Sequence, residues 1–402
     1  MRAFIESELL RTPLEELCLQ TKRLNLARGG ADDPDGIPAF LSRAMTPPHS
    51  KSITNALELL VNLGAMDEET NELTDLGVCL SGLSLEPRVG KMVIMSHLIG
   101  CTREAACMAV AMSSKSPFTI PPPAMRKASD TAKVKLSEGS ESDQITCLKV
   151  IRKRDAAAKR GMSALTSFCR QHYLNASSLN QISNLRAHVS RELETLGFPP
   201  SSNQGYHNRA GDLPAFLQAS ICAGLYPNVA WRRKGDVNFS TITRQKAKTH
   251  LSSVNAVKTQ PLSTKCLVAE DEVELIVFGE LVKGKAMFTM DMTTHLVSPL
   301  PLLLLCGQLH VRPIAFAATE TSKSTTQSLL SVDDWLVFIC DPNVASALVV
   351  LRKRINSAFK IITSDPGTFA ELPAKEKDAV DTLSAVLQSG HHQCLRQRER
   401  PR

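Results

Sequence analysis

The stretch RTPLEELCLQ, Arg11 to Gln20, holds the first clear structural signal of the chain. Thr12 stands where an N-cap would, Pro13 fits the first helical position, and Glu15 follows Thr12 at capping-box spacing. Leu14, Leu17, Cys18 and Leu24 then recur with helical period. Outward from this helix, GGADDPDG (Gly29 to Gly36) reads as a turn-rich insertion in which Asp32, Asp33 and Asp35 are loop solubilisers. A second short helix, Ala39 to Met45, is stopped by Pro47 and Pro48. Ser50 or Ser52 caps a third, with Ile53, Ala56, Leu57, Leu60 and Val61 on its apolar face and Gly64 at its end. MDEETNELTDLG, Met66 to Gly77, is a polar turn between short apolar ends and predicts a β-hairpin.

Three helices and a hairpin form a winged-helix pattern. The chain of 402 residues is long enough for two or three domains and a sizeable core. With 43% hydrophobic but only 4% aromatic residues, aliphatic side chains must fill that core. The net charge of +7 is compatible with a nucleic-acid partner but does not establish one. Eleven cysteines occur singly with no CxxC pair, which points away from zinc and toward reduced thiols in an intracellular protein. The longest apolar run, Leu300 to Cys306, falls far short of the ~20 residues a membrane crossing needs and reads as a buried strand or helix turn.

From Leu80 to about Gly197 the periodicity is helical. Pro87 opens one helix, Thr102 caps another running to Met112, and SPFTIPPP (Ser116 to Pro123) breaks the series. Ser142 and Asp143 start a long helix with Ile145, Leu148 and Ile151 inward. FPPSSNQGYHNRAGD, Phe198 to Asp212, is the clearest boundary. Beyond a helix around Phe216 to Ala223, short runs such as VELIVFGEL, KAMFTMDM and WLVFI predict a small β-barrel. Asn343 to Ile362 is again helical with a basic face, and HHQCLRQRERPR reads as a solvated or disordered tail.

GELVKGKA, Gly279 to Ala286, matches a phosphate loop except at its last position. Ala286 supplies no hydroxyl for Mg²⁺, and a strand follows where the loop needs a helix N-terminus, so nucleotide binding is not expected here. No catalytic constellation and no metal-ligand cluster is present; His391 and His392 alone are a weak signal. Lys149, Arg152, Lys153 and Arg160 share one helical stripe, which suits either phosphate tracking or a solvated face. WRRKGD brings Trp231 beside Arg232, Arg233 and Lys234 in an expected loop, suited to stacking with phosphate contact or to a buried Trp with a polar turn. HLSSVN, His250 to Asn255, offers groups that bond phosphate or a 2′-OH, or that simply make a turn.

These segments line up in order with a known series. RTPLEELCLQTKRL, FLSRAMTPP, NALELLVNLGAMDE and ELTDLG resemble the winged helix of DEAH-box RNA helicases. LEPRVGKM, SPFTIP and the SDQ at Ser142 to Gln144 resemble the helicase-associated ratchet-like domain. ICAGLYPNVA, HLSSVN, VSPLPLLLLCG and DDWLVF resemble the OB-fold of the same enzymes. The C-terminal part looks most like the RNA helicase A and quadruplex-resolving branch. The fold class implied is α+β and multidomain. It comprises a linker end (1–11), a winged helix (12–77), a helical ratchet-like bundle (78–199), an OB-fold β-barrel (200–341) and a C-terminal helix and tail (342–402).

The resemblance implies the accessory half of an ATP-dependent RNA helicase, which binds single-stranded RNA and closes a channel over a motor. Two motor domains would stand before Arg11, in cis or as a separate chain. Their Walker A loop, DEAH box and arginine finger are not in this sequence. ATP and Mg²⁺ are expected only with them, so the chain alone is expected not to hydrolyse ATP. The alternative is a free-standing RNA-binding or adaptor protein without catalysis. By position, RNA-contacting residues would be Ser142 and Asp143 on the ratchet helix, and His250, Ser252, Ser253 and Asn255 on the OB loop. Thr293, Thr294 and Ser298 follow on the next strand and turn, and the resemblance adds weight to Lys149, Arg152, Lys153, Arg232, Arg233 and Lys234. No membrane contact is expected, and the location implied is cytoplasmic or nuclear. The family often has Pro at Leu251 and His at Gln144, departures that bear on the strength of RNA contact.

Overall fold

The computed structural model describes residues 7–29, 36–198, 214–233, 236–256, 273–284, 287–315 and 326–399. The insertion with Asp32, Asp33 and Asp35, the boundary at Phe198 to Asp212 beyond its first residue, and Lys234 lie outside them.

The first described elements are a 3-10 turn at Glu8–Leu10 and then α1 (Glu15–Arg23). The expected capping box does not form: the Thr12 hydroxyl donates to the Glu8 carbonyl at 2.8 Å, and Leu14 holds the cap position. The preceding turn captures Thr12 locally. α2 (Ile37–Ser42) and α3 (Ser50–Leu63) follow. α3 is capped by His49, whose Nδ1 accepts from Lys51 N, not by Ser50 or Ser52. Gly64 ends α3 at φ +80°, a left-handed position that favours glycine. The expected hairpin shrinks to a single bridge between Met66 and Leu73. Asp67 closes its turn by accepting from Glu69 N, Thr70 N and the Thr70 hydroxyl, which hold its carboxyl below the usual range. Thr74 then caps α4 (Asp75–Ser81) by accepting from Gly77 N.

The ratchet region contains α5 (Pro87–Ile99), α6 (Thr102–Met112), α7 (Arg126–Ser137), α8 (Asp143–Lys159), α9 (Met162–Gln171) and α10 (Ala176–Thr195). Pro87 opens α5 and Ser142 caps α8 as read, but Thr102 sits inside α6 and makes no cap bond. α11 (Pro214–Leu225) is buried along its whole length after Pro214. It crosses α5 so closely that a Cβ on Gly224 would lie 2.7 Å from Met92 Cα. The requirement there is for the smallest side chain, because neither backbone can retreat from a packed interior.

Among the described residues seven strands follow, β1 (Val229–Arg233), β2 (Phe239–Thr241), β3 (Lys246–Thr249), β4 (Val273–Val277), β5 (Glu280–Lys283), β6 (Phe288–Asp291) and β7 (Thr294–Leu296). They form one sheet in the order β5-β6-β3-β2-β1-β4-β7, antiparallel except where β3 meets β6. Trp231 to Arg233 thus lie on a strand rather than in the expected loop, because Val229 and Ala230 carry their register onto β4. The phosphate-loop look-alike is the β5–β6 hairpin. Leu300 to Cys306 resolves to α12 (Leu300–Leu305). A three-stranded sheet of β8 (Leu309–Ala315), β9 (Thr326–Val332) and β10 (Leu336–Cys340) completes the β part.

Two long helices close the chain, α13 (Pro342–Ser364) and α14 (Ala374–Glu399). The expected solvated tail is therefore helical through Glu399, with His391 buried. Val380, Leu383 and Leu387 supply an inward apolar stripe that carries the helix into the charged run. The largest apolar core among the described residues runs from Leu14 before α1 to Leu387 of α14 and spans the expected domains, while smaller clusters lie within the ratchet helices (Leu136, Val150, Leu165) and the OB sheet (Phe239, Ile276, Met290). No helix among the described residues is long and apolar enough to cross a membrane.

Candidate nucleic-acid interface

The ratchet and OB regions meet where residues 141–143 add to the free edge of β7. The Asp143 amide donates to the Thr293 carbonyl at 2.9 Å, and the His295 amide donates to the Glu141 carbonyl at 3.0 Å. Ser142, at the bridge to Thr294, caps α8 by accepting from Ile145 N, and its hydroxyl lies 2.6 Å from that of Thr294. The Gln144 amide completes this knot, accepting from Thr294 Oγ1 and donating to the Met292 carbonyl, each at 2.6 Å.

Asp143 is the hub. Its Oδ1 accepts from Val254 N and its Oδ2 from Thr293 N, both at 2.9 Å, and Oδ2 also accepts the Thr293 hydroxyl. Ser253 and Asn255 close on the same Thr293 hydroxyl at 2.7 and 2.9 Å. Of the expected contact residues, Ser142, Asp143, Ser253, Asn255, Thr293, Thr294 and Ser298 are thus buried, with their hydrogen bonds directed into the protein. Ser298, just before Pro299 at the N-cap of α12, accepts from Leu300 N. This set positions a loop and offers it little open surface.

What faces outward is the rest of that loop. His250 and Ser252 are exposed, with His250 Nδ1 2.7 Å from Ser252 Oγ, and Leu251 between them is 88% exposed. Beside it opens a cleft of about 190 Å³ between the start of α5, the loop after α6, α7, the start of α8 and the β5–β6 hairpin. Phe118, Met112 and Met292 give it apolar walls; Glu86, Glu280 and Asp291 bring carboxylates; Lys133 reaches across. Desolvation pushes the Glu86 carboxyl above the usual range against the pull of Arg88, with Glu15 and Glu280 adding repulsion. Ile120, from the same loop as Phe118, is 90% exposed. The buried Cys18, Cys101 and Cys147 thiols are each pushed up to about 12 and serve as packing groups, not nucleophiles.

Three family models match this chain in the same order as the folded units. Residues 56–85 match the helicase associated domain (HA2), winged-helix; residues 86–160 match the helicase associated domain (HA2), ratchet-like; and residues 217–309 match the oligonucleotide/oligosaccharide-binding (OB)-fold. The mouse ATP-dependent DNA/RNA helicase DHX36 is 30% identical over 94% of this chain and 36% of its own length. The DExH-box ATP-dependent RNA helicase DExH1 of Arabidopsis thaliana is 29% identical over 96% of the chain and 35% of its own. Human ATP-dependent RNA helicase DHX29 is 30% identical over 89% of the chain and 25% of its own. The chain carries the winged-helix and ratchet-like helicase-associated domains followed by the OB-fold, and the relatives it matches are DEAH-box helicases. It spans about a third or less of the length of these curated relatives.

Within this helicase-associated region, the basic residues singled out from sequence are largely engaged. Lys149 donates to the Ser137 carbonyl at the end of α7 and sits 3.2 Å from Glu138, while Lys153 is 2.6 Å from the same carboxylate. Hydrogen bonds from Lys153 and then Lys149 hold the Glu138 carboxyl below the usual range. Arg152 pairs with Glu104 at 2.8 Å. Arg232 donates to buried Glu274 at 2.7 Å and lies over the Phe239 ring. Arg233 ends β1 at the surface. Sequence reading passed over Lys133, Glu86, Glu280 and Asp291, the groups that shape the cleft. Lys133 has no local signal, being one of 47 basic residues in the chain and lying on an ordinary amphipathic helix.

Proposed function

We propose that this chain is an accessory, RNA-binding module of a DEAH-box ATP-dependent RNA helicase, gripping single-stranded RNA along the cleft between the ratchet helices and the OB-fold. The observation that carries this reading is the exposed face His250–Leu251–Ser252, seated on a buried hydrogen-bonded junction at the mouth of that cleft. An imidazole and a hydroxyl suit phosphate or ribose 2′-OH oxygens. The apolar faces of Phe118, Ile120 and Leu251 suit unstacked bases. The cleft carboxylates repel phosphate and accept from base amino groups, which favours bases inward and backbone outward. The buried Ser142, Asp143, Ser253, Asn255, Thr293, Thr294 and Ser298 act by holding this surface, and Arg233 extends it.

In this reading the module closes an RNA channel over motor domains, in cis or in trans, in the cytoplasm or nucleus. ATP and Mg²⁺ belong to those motor domains, and none of the buried groups described here substitutes for a phosphate cradle, metal ligands and arginine acting together. Titrating the purified chain with labelled single-stranded RNA tests the binding. Micromolar or tighter affinity supports the reading; no binding in that range overturns it. ATP turnover by the isolated chain above a buffer blank would overturn the assignment of catalysis to the motor.

A further inference from the structure

The loop from His250 to Ala256 has two halves held by different means. The inner half is fixed from below: Val254 N and Thr293 N both donate to Asp143, and Asn255 donates to the Glu141 and Thr293 carbonyls. The outer half, which shows His250, Leu251 and Ser252 to solvent, is anchored within the OB-fold by the His250 amide donating to the Met290 carbonyl at 2.8 Å and, among the described residues, is tied across the domain boundary by one side chain on α7. The Lys133 ammonium donates to the Ser252 carbonyl, lies 3.6 Å from Asp143 Oδ1, and sits 4.5 Å above the Phe118 ring centroid. Its side chain is only 16% exposed.

We propose that Lys133 is a positioning residue that sets the outward half of the OB loop, so that RNA affinity depends on it through loop geometry and not through a phosphate contact. This rests on the RNA-binding reading above. A carbonyl, a carboxylate and a ring face already surround the ammonium, and these are the partners a desolvated Lys needs. A phosphate-tracking lysine is instead a solvated point charge on a free stem. The surroundings reinforce the assignment. Asp143 on α8 and the cleft groups Glu86, Glu280 and Asp291 make this a place that holds a cation and turns phosphate away. Lys133 joins α7, the loop carrying Phe118, the start of α8 and the OB loop at one point, so displacement of α7 moves the surface presented to RNA.

The test compares the wild-type chain with Lys133→Met, which keeps the apolar stem over Phe118 and removes the donor, and with Lys133→Arg, which restores a cation. Two quantities are read: hydrogen exchange of the amides in 250–256, and affinity for a single-stranded RNA across a salt series. For Lys133→Met the expected result is faster exchange and weaker binding, each on the order of tenfold, the worth of one charge-assisted hydrogen bond. The slope of log affinity against log salt stays unchanged, and Lys133→Arg recovers part of both losses. A slope shallower by about 0.7 would overturn the proposal, since that is the signature of a lost phosphate contact. Unchanged exchange in 250–256 would also overturn it. A wild-type chain that binds no RNA refutes the proposed function instead, and the exchange measurement then decides alone whether Lys133 sets the loop.

Discussion

Replacing Asp143 by Ala removes the acceptor on which two buried backbone amides converge. Val254 N and Thr293 N each lie 2.9 Å from a carboxylate oxygen, and both residues are 5% exposed or less. Each orphaned buried donor costs about 1–3 kcal/mol, so the pair predicts roughly 4 kcal/mol lost from the ratchet–OB junction. The Thr293 hydroxyl keeps Ser253 and Asn255 as partners and adds little to the loss. Asp143→Asn retains one acceptor oxygen but turns an NH₂ toward the second amide, which predicts about half the cost, roughly 2 kcal/mol. Native-state hydrogen exchange at Val254 and Thr293 is the assay, because the loss is local and reaches these amides first. The reasoning fails if Asp143→Ala leaves both amides protected as in wild type, or if the Asn variant costs as much as the Ala variant.

Gly224→Ala would push a methyl group into the Met92 backbone where α11 crosses α5, and at least 3 kcal/mol of destabilisation is expected in urea titration, roughly the upper end for overpacking. Arg352 donates to the Leu303, Cys306 and Gly307 carbonyls at the end of α12, so Arg352→Met should cost about 2–4 kcal/mol in the same assay. The Glu86 carboxyl is raised in the folded state, so the unfolded chain ionises first and this group's effect on stability becomes unfavourable as pH rises through the carboxylate range. Glu86→Gln is therefore expected to stabilise the chain at neutral pH, with the gain fading once the pH falls below the unfolded carboxylate range, as thermal midpoints across pH would show.

Local periodicity made much of the fold legible. Ile145, Leu148 and Ile151 marked α8, and Ser142 before them marked its cap, because both signals act within one or two turns of chain. Where two local partners competed, the reading failed: Thr12 had both a forward cap and a backward turn available, and the Glu8 carbonyl won. The C-terminal charge run misled for another reason. Its helix is sustained by Val380, Leu383 and Leu387 packing on distant elements, and charge along the outer face says nothing of that.

The candidate site was legible in residue type but not in role. Ser142, Asp143, Ser253, Asn255, Thr293 and Thr294 are of the residue types that suit RNA contact, and equally of the types that bond one another across a domain boundary, as they do here. Asp143 meets Thr293 over 150 residues of chain and Ser142 meets Thr294 over 152, separations that no local pattern encodes. Lys133 and the cleft carboxylates were missed because their meaning exists only once α7 lies against the OB loop.

The central claim is that this helicase-associated region grips RNA by itself through a surface carried on a buried junction. The most direct measurement is the affinity of the isolated chain for single-stranded RNA at two salt concentrations. With a slope of about −0.7 per phosphate contact, affinity should fall roughly 2- to 3-fold for each contact between about 50 and 200 mM salt. Binding that does not change with salt, or no binding in the micromolar range, would contradict the account.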